Sequence, residues 1–288
     1  MSSLEITLAF PGAVATHAAS AGNKIMSVLY ILSVEAFAVI RHVIPSAIEW
    51  QIRKFNDEIT TIPFPITLGK IQIHAEVHLH GHINIEENVT YNPFLFFHGD
   101  HSRPDPFLNL IKVALKSKAL VYSVYIPTIH KDEEFAEQGI LADAIMSMIE
   151  QMITDKKGIF GGFRGVGHSK GAMLLAERQF HSDLPPKILE TFCIAGPLRV
   201  VPEATNFTPP LSAIFEGIYP RILNLTERKI VQIVPEEDWC APYVCMAVRP
   251  HEYCYTVDGM HLSGLFSEKT TYLFEKFVKG ELTQEIIP

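Results

Sequence analysis

The fold is decided by one short run, Gly165-Val166-Gly167-His168-Ser169-Lys170-Gly171. It contains the pattern Gly-x-Ser-x-Gly, with apolar residues before it and a helix-like stretch, 172–178, after it. In that setting the pattern predicts a sharp strand-to-helix turn that lifts the hydroxyl of Ser169 out of the backbone. The serine of such a turn is strained, so side chains at Gly167 and Gly171 would collide with their neighbours. Ser169 is therefore a candidate nucleophile.

The motif alone is weak, because a glycine-rich turn with a serine cap at a helix start has the same pattern. The nucleophile interpretation needs an acid, a histidine and an oxyanion-binding loop in the right order along the chain.

Length and composition are those of one α/β domain with a small appendage: 288 residues, 48 % of them hydrophobic. The net charge of −8 argues against nucleic acid as the main partner. The four cysteines show no C-x-x-C spacing, so no zinc cluster is expected. Cys193 lies in an apolar run and is predicted to be a buried thiol.

The start of the chain lacks a basic segment followed by an apolar core and a small-residue cleavage site, so no cleavable signal peptide is predicted. A cytoplasmic or peripheral membrane location is favoured. The sequons at Asn88, Asn206 and Asn224 matter only if the chain enters a secretory lumen.

Strand-like and helix-like segments alternate from residue 70 onward. Alternating polarity predicts a half-exposed strand over 71–79 and, after a turn, a second over 83–85. The apolar run 94–97 predicts a strand buried on both faces. Further strands are predicted at 119–126, 163–167, 188–195, 230–234 and 252–257, and helices at 107–115, 133–153 and 265–278. This order predicts an α/β fold with a mostly parallel, doubly wound sheet.

An acid and a histidine follow the last two predicted strands. Asp238 comes just past the carboxyl end of strand 230–234, where open α/β sheets place site residues; Glu236 and Glu237 are the nearby competitors. His261 lies in a turn after the final strand. Asp238 would orient His261, and His261 would take the proton of Ser169 during attack.

The loop after the buried strand, His98-Gly99-Asp100, is the candidate oxyanion loop. One backbone N–H would come from Gly99 or Asp100, and the other from Lys170, directly after the nucleophile.

Together these residues resemble the α/β-hydrolase superfamily over roughly residues 70 to 280. The resemblance is carried by four motifs: His98-Gly99, Gly167-His168-Ser169-Lys170-Gly171, Asp238 ahead of Ala241-Pro242, and Asp258-Gly259 ahead of His261. The order of nucleophile, acid and base is that of the family. The resemblance implies an eight-stranded, mostly parallel sheet and acyl chemistry without a cofactor.

Two segments fall outside the plain alternation, and the chain is divided accordingly into an N-terminal helical extension, 1–60, and a hydrolase domain, 61–288. Residues 25–40 predict an amphipathic helix that Pro45 disrupts; it either packs on the domain or makes peripheral membrane contact. The apolar insertion 198–228 predicts a lid or cap over an apolar acyl group, or an ordinary excursion with its own small core.

Four histidines on one strand form a rival site. His74, His78, His80 and His82 alternate along the strand and are expected to form a solvent-facing edge rather than a metal site, because no carboxylate or cysteine cluster joins them.

The sequence therefore predicts a serine hydrolase that cleaves carboxylic esters, with an acyl ester or lipid as substrate, and neither metal nor cofactor. A thioesterase or acyltransferase would use the same residues, and a catalytically silent hydrolase fold that binds a ligand or partner is the alternative from another class.

Overall fold

The structure is a computed structural model that describes residues 30, 32–68, 71–82, 84–99, 102–126, 134–180, 188–196, 229–238 and 253–282. The candidate oxyanion residue Asp100, the 198–228 insertion and positions 25–29 of the apolar N-terminal stretch lie outside these residues.

The central sheet has eight strands in the order β1-β2-β5-β4-β7-β8-β9-β10, and β3 and β6 form a separate two-stranded sheet. Strand β2 pairs antiparallel with both β1 and β5, and all other neighbours in the large sheet are parallel. The mostly parallel, eight-stranded sheet expected from the sequence is confirmed. The strands are β1 Ile59–Leu68, β2 Ile71–His80, β3 Thr90–Tyr91, β4 Phe94–Phe97, β5 Val121–Tyr125, β6 Ile159–Phe160, β7 Phe163–His168, β8 Ile188–Ile194, β9 Lys229–Pro235 and β10 Cys254–Val257.

Helices cover both faces of this sheet. They are α1 Ile44–Phe55, α2 Leu108–Lys116, α3 Glu134–Asp155, α4 Lys170–Phe180 and α5 Glu268–Lys279. Strand β4 is buried on both faces, as its apolar run predicted, since Leu95 and Phe97 pack with α3 and α4 while Phe94 and Phe96 pack with α2 and α5. Because β4, β7, β9 and β10 are parallel, the loops that follow them meet at one edge of the sheet.

The edge of the sheet differs from the prediction. Residues 84 and 85 are not in a strand, so the second strand predicted over 83–85 is wrong at these two positions, and residue 83 lies outside the described residues. Strand β1, which precedes β2, pairs with it instead, and the N–H of Gly81, at φ 75°, donates to the carbonyl of Glu58. The sequence pattern did not predict β1, which carries two prolines and lies at the sheet edge.

The histidine face of β2 is also not what was expected. His74 is exposed, but His78 and His80 are buried, and Trp50 of α1 packs edge-on against both rings at 5.2 and 5.0 Å. Burial lowers the pKa of each to about 3, so both are neutral at ordinary pH. The prediction of a solvent-facing edge is wrong there because a helix covers it.

The N-terminal helix spans residues 32–55: an α-helical start over 32–38, a π-helical segment Val39–Val43, and then α1. The prediction that Pro45 disrupts the helix is wrong. Proline lies in the first turn of α1, directly after the π-helical segment, where the Ile44 N–H donates to the carbonyl of Val39. None of the described helices has the length and apolar character needed to cross a bilayer.

Candidate active site

Ser169 lies in the tight turn between β7 and α4. Its φ is 52°, a left-handed conformation that side chains other than glycine seldom adopt, and its N–H donates to the carbonyl of Ile194 at 2.9 Å. The flanking glycines are needed for steric reasons. A Cβ at Gly167 would lie 2.5 Å from the backbone N of Ala172, and one at Gly171 would collide with the carbonyl oxygen of Phe97. The collisions predicted for both positions are therefore confirmed.

Asp238 and His261 are brought together by the loops after β9 and β10. Asp238 Oδ2 lies 2.8 Å from His261 Nδ1, and the Asp238 side chain is fully buried. Because a carboxylate only accepts, Nδ1 carries the proton, and in neutral imidazole Nε2 is left as the basic nitrogen. The competing acids Glu236 and Glu237 are both exposed. The structure thus distinguishes Asp238 from its neighbours by burial and by contact.

Backbone hydrogen bonds hold the acid loop against the histidine loop. The N–H of Glu236 donates to the carbonyl of Val257 at 3.0 Å, and that of Glu237 to the carbonyl of Gly259 at 3.1 Å. Gly259 has φ 113°, and a Cβ there would lie 2.9 Å from Ser263 Oγ, so the turn before His261 requires glycine. Two backbone hydrogen bonds and the Asp238–His261 contact therefore join loops that are 23 residues apart along the chain.

His168, inside the serine motif, contacts the backbone of His261. Its Nε2 lies 2.8 Å from the His261 carbonyl oxygen, and the two rings are 4.9 Å apart. Burial lowers the pKa of His168 to about 3, with the charge of His261 acting in the same direction. His168 is therefore neutral and donates from Nε2. Sequence analysis did not single it out, because its partner is a backbone atom 93 residues away.

Two of the candidate oxyanion residues, Gly99 and Lys170, lie beside Ser169. Gly99 approaches so closely that a Cβ there would be 3.0 Å from Ser169 Cβ. The N–H of Ile126 donates to His98 Nε2 at 3.0 Å, so the His98 proton is on Nδ1, which donates to the Gly99 carbonyl at 2.6 Å. Lys170 is the first residue of α4 and so lies at the positive end of the helix dipole.

A cavity of about 430 Å³ opens at this site, which is in the range of small-molecule pockets. Ser169 and His261 both line it. Two apolar lining residues, Val39 and Val43, come from the π-helical segment of the N-terminal helix. Sequence analysis did not connect this helix with the site. The other lining residues are Gly99, Ser102, Arg103, Asp105, Pro106, His168 and Leu262.

The N-terminal helix also holds the loop of His261. Glu35 Oε1 accepts a hydrogen bond from the N–H of Leu262 at 3.1 Å, while Glu35 Oε2 is buried and has no hydrogen-bond partner. Burial raises the pKa of Glu35, and the Leu262 N–H and His261 partly oppose that rise. Ring stacking of His42 on Phe266 at 4.9 Å adds a second contact to the same loop. A lone acid within an apolar run was the only sequence signal for this role.

A charged pair lies at the rim of the cavity. Arg103 Nε is 3.4 Å from Asp105 Oδ1, and the guanidinium lies over the ring of Tyr125 at 5.5 Å. Burial raises the pKa of Asp105, and Arg103 partly offsets this. Among the described residues no group of three or more histidine, cysteine or acidic side chains is arranged to hold a metal ion.

Comparison with solved structures identifies the architecture. Esterase 2 of Thermogutta terrifontis, phosphorylated by paraoxon, superposes with a TM-score of 0.57 at 12 % identity over 78 % of this chain and 96 % of that chain. The Pyrococcus furiosus esterase Pf2001 gives 0.52 at 13 % identity, over 79 % and 95 %. A hyperthermophilic esterase from Pyrobaculum calidifontis gives 0.51 at 12 % identity, over 89 % and 96 %.

This chain has the α/β-hydrolase fold. No family model and no curated protein matches it by sequence. At this identity the comparison shows the α/β-hydrolase fold alone, so the chemistry must be argued from the residues at the carboxyl edge of the sheet.

Proposed function

We propose that this protein is a carboxylic ester hydrolase that works through an acyl-enzyme on Ser169. The observation that carries the proposal is the 2.8 Å contact between Asp238 and His261, together with the position of His261 and Ser169 in the wall of one cavity. A candidate nucleophile, a candidate base and a candidate acid, Ser169, His261 and Asp238, thus come from three separate loops at one edge of the sheet.

The mechanism follows from the protonation states. Asp238 holds the proton of His261 on Nδ1, so Nε2 takes the proton of Ser169 as its oxygen attacks the ester carbonyl. The imidazolium that forms is stabilised by the buried carboxylate of Asp238 and returns its proton to the departing alcohol. In the second half, His261 removes a proton from water, which attacks the acyl-enzyme and releases the acid.

The tetrahedral intermediate needs donors for its negative oxygen. The N–H of Lys170 at the start of α4 is one proposed donor, and the loop of Gly99 and Asp100 supplies the second. The position of Ser169 supports this role, because its left-handed turn comes directly before Lys170, the first residue of α4, and the N-terminal end of a helix favours negative charge.

The proposed substrates are medium- or long-chain acyl esters, including lipid esters. Val39, Val43 and Leu262 give the cavity apolar walls, and the apolar 198–228 insertion would supply further cover. Burial of each methylene contributes about 0.8 kcal/mol, so four further carbons would raise kcat/KM by up to about two orders of magnitude.

The test is labelling with a fluorophosphonate probe followed by hydrolysis of p-nitrophenyl esters from C2 to C12. Ester hydrolases are the structural neighbours of this chain, and one of them is phosphorylated by paraoxon, which supports an organophosphorus probe. We expect stoichiometric labelling and a kcat/KM that rises with acyl length. A monotonic fall with chain length would leave a small-ester hydrolase, and the absence of both labelling and turnover would leave a ligand-binding protein.

A further inference from the structure

The outer side of the N-terminal helix carries a continuous apolar strip, which we call the apolar face. Its members are spaced three or four residues apart and are 48 % to 88 % exposed: Phe37, Ile40, Ile44, Ile48, Ile52 and Phe55. Of the twelve large hydrophobic side chains exposed in the described part of the chain, eight lie between residues 30 and 55. The exposed apolar surface of the described protein is thus concentrated on one helix.

The strip itself contains no charged side chain. Among the described residues 32–55, Arg41 is the only charged one that is exposed. The others are partly buried and bonded to the protein: Glu49 with Lys112 at 2.7 Å, Arg53 with Glu58 at 3.0 Å, Lys54 with Glu76 at 3.7 Å, and Glu35 with the Leu262 N–H at 3.1 Å. A helix face that met only water would normally carry some of these charges.

The opposite side of the same helix is attached to the catalytic machinery. Trp50 is 1 % exposed against β2, Val39 and Val43 line the cavity, and Glu35 contacts the loop of His261. The apolar face is therefore presented on a fixed support, and one helix separates it from the cavity that holds Ser169.

We propose that the apolar face docks on the surface of a phospholipid bilayer, with the helix lying in the plane of the interface. The strip runs from Phe37 to Phe55, so it is roughly 27 Å long and about 10 Å wide. The area of the strip is therefore about 300 Å². That is well short of the roughly 800 Å² per partner that a stable protein interface buries, whereas an interfacial helix needs only such a strip. Arg41, the one exposed charge among the described residues 32–55, is a cation suited to lipid phosphate. Docking itself is independent of catalysis; delivery of lipid esters from the bilayer to Ser169 rests on the proposed function.

The binding test uses the full chain carrying Ser169→Ala, so that vesicles are not consumed. The measurement is flotation with phosphatidylcholine vesicles, with and without 30 % phosphatidylserine. Adding Ile44→Glu and Ile48→Glu is expected to lower vesicle binding at least tenfold. The matched control, Ile140→Glu and Ile159→Glu, charges two exposed isoleucines elsewhere and should keep full binding, since those side chains are 56 % and 48 % exposed.

A gain-of-signal measurement guards against a misfolded variant. Phe37→Trp, 59 % exposed in the native residue, should shift its emission to the blue on addition of vesicles and be quenched by brominated lipid, above the background of the native tryptophans. No vesicle binding by the parent chain, equal loss in the control pair, or a dimer that Ile44→Glu and Ile48→Glu dissociate would each overturn the proposal.

A second arm separates docking from catalysis. With Ser169 intact, Ile44→Glu and Ile48→Glu should leave kcat/KM for a soluble short ester within about twofold while lowering hydrolysis of a vesicle-embedded ester at least tenfold. If no ester is hydrolysed but vesicles still bind, the proposed function fails and the docking proposal stands. Equal loss on both ester forms would overturn the delivery of lipid esters from the bilayer to Ser169, while vesicle flotation alone decides docking.

Discussion

Glu35 Oε1 lies 3.1 Å from the backbone N of Leu262, a contact between residues 227 positions apart in the chain. It fixes the residue directly after His261 to a helix that precedes the whole sheet. The N-terminal helix is therefore a part of the site rather than an appendage, and removing residues 1–50 would also remove Trp50 from the core. Truncation is a poor test of this helix, and single substitutions are better.

Glu35→Leu is expected to lower kcat ten- to a hundredfold with little change in KM for a soluble ester. The half-buried Leu262 N–H would lose its acceptor, and His261, the residue before it, would shift relative to Ser169. Displacements of about 1 Å reduce rates on that scale. Glu35→Gln keeps an oxygen acceptor and should stay within about threefold of the parent. The measurement is steady-state kcat and KM for each variant, with Glu49→Gln on the same helix as the control. An equal fall in Glu35→Gln would assign the effect to the charge of Glu35.

Asp238→Asn is expected to be severely impaired, by roughly 10⁴ in kcat as in the comparable serine protease case. The shape is nearly unchanged, but the amide favours the wrong tautomer of His261. Glu236→Gln and Glu237→Gln should keep nearly full activity, because both side chains are exposed. A larger loss at Glu237 than at Asp238 would move the acid by one residue.

Acid should destabilise this protein through its buried histidines. The pKa values of His78, His80 and His168 are lowered from the ordinary 6.5 to about 3 by burial. Between these values the unfolded chain binds more protons than the folded one, so the stability is full above about pH 6.5 and is lost as the pH falls toward 3. Each histidine should lower the free energy of unfolding by about 2 kcal/mol between pH 7 and pH 5.

Urea unfolding at a series of pH values measures this slope. His80→Gln should reduce the pH dependence of the free energy of unfolding by the contribution of one histidine. Loss of the Trp50 contact also lowers the stability at every pH. His74→Gln, at an exposed position of the same strand, should leave the slope unchanged. A slope that His80→Gln does not change would show that His80 is not buried in its neutral form.

The parts of the fold that local patterns specify were predictable from the sequence. The strand at 94–97, the strand-to-helix turn at Ser169 and the loops of Asp238 and His261 each depend on apolar runs and glycines within a few residues. Helix α5 ends at Lys279, and Gly280 follows it with φ 71°, the left-handed conformation that commonly caps a helix. Roles for Ser169, Asp238 and His261 remain predictions until they are measured.

The rest depends on contacts between distant segments. His78 and His80 are buried because Trp50 packs against both. The backbone at His261 and Leu262 is positioned by hydrogen bonds to His168 and Glu35. The helix continues past Pro45 through a π-helical segment, Val39–Val43, that no pattern in the sequence predicts. Local periodicity could not reveal these pairings, because it records the face of a segment and not its partner.

Ser169→Ala tests the central claim most directly. The measurement is the initial rate of hydrolysis of a medium-chain p-nitrophenyl ester, with fluorophosphonate labelling of the same preparations and a thermal unfolding scan to show that the fold is kept. For Ser169→Ala we expect no labelling and a loss in kcat on the order of 10⁶, measurable down to the uncatalysed background rate. A Ser169→Ala protein that keeps more than a few per cent of the parent rate would contradict the assignment of Ser169 as the nucleophile.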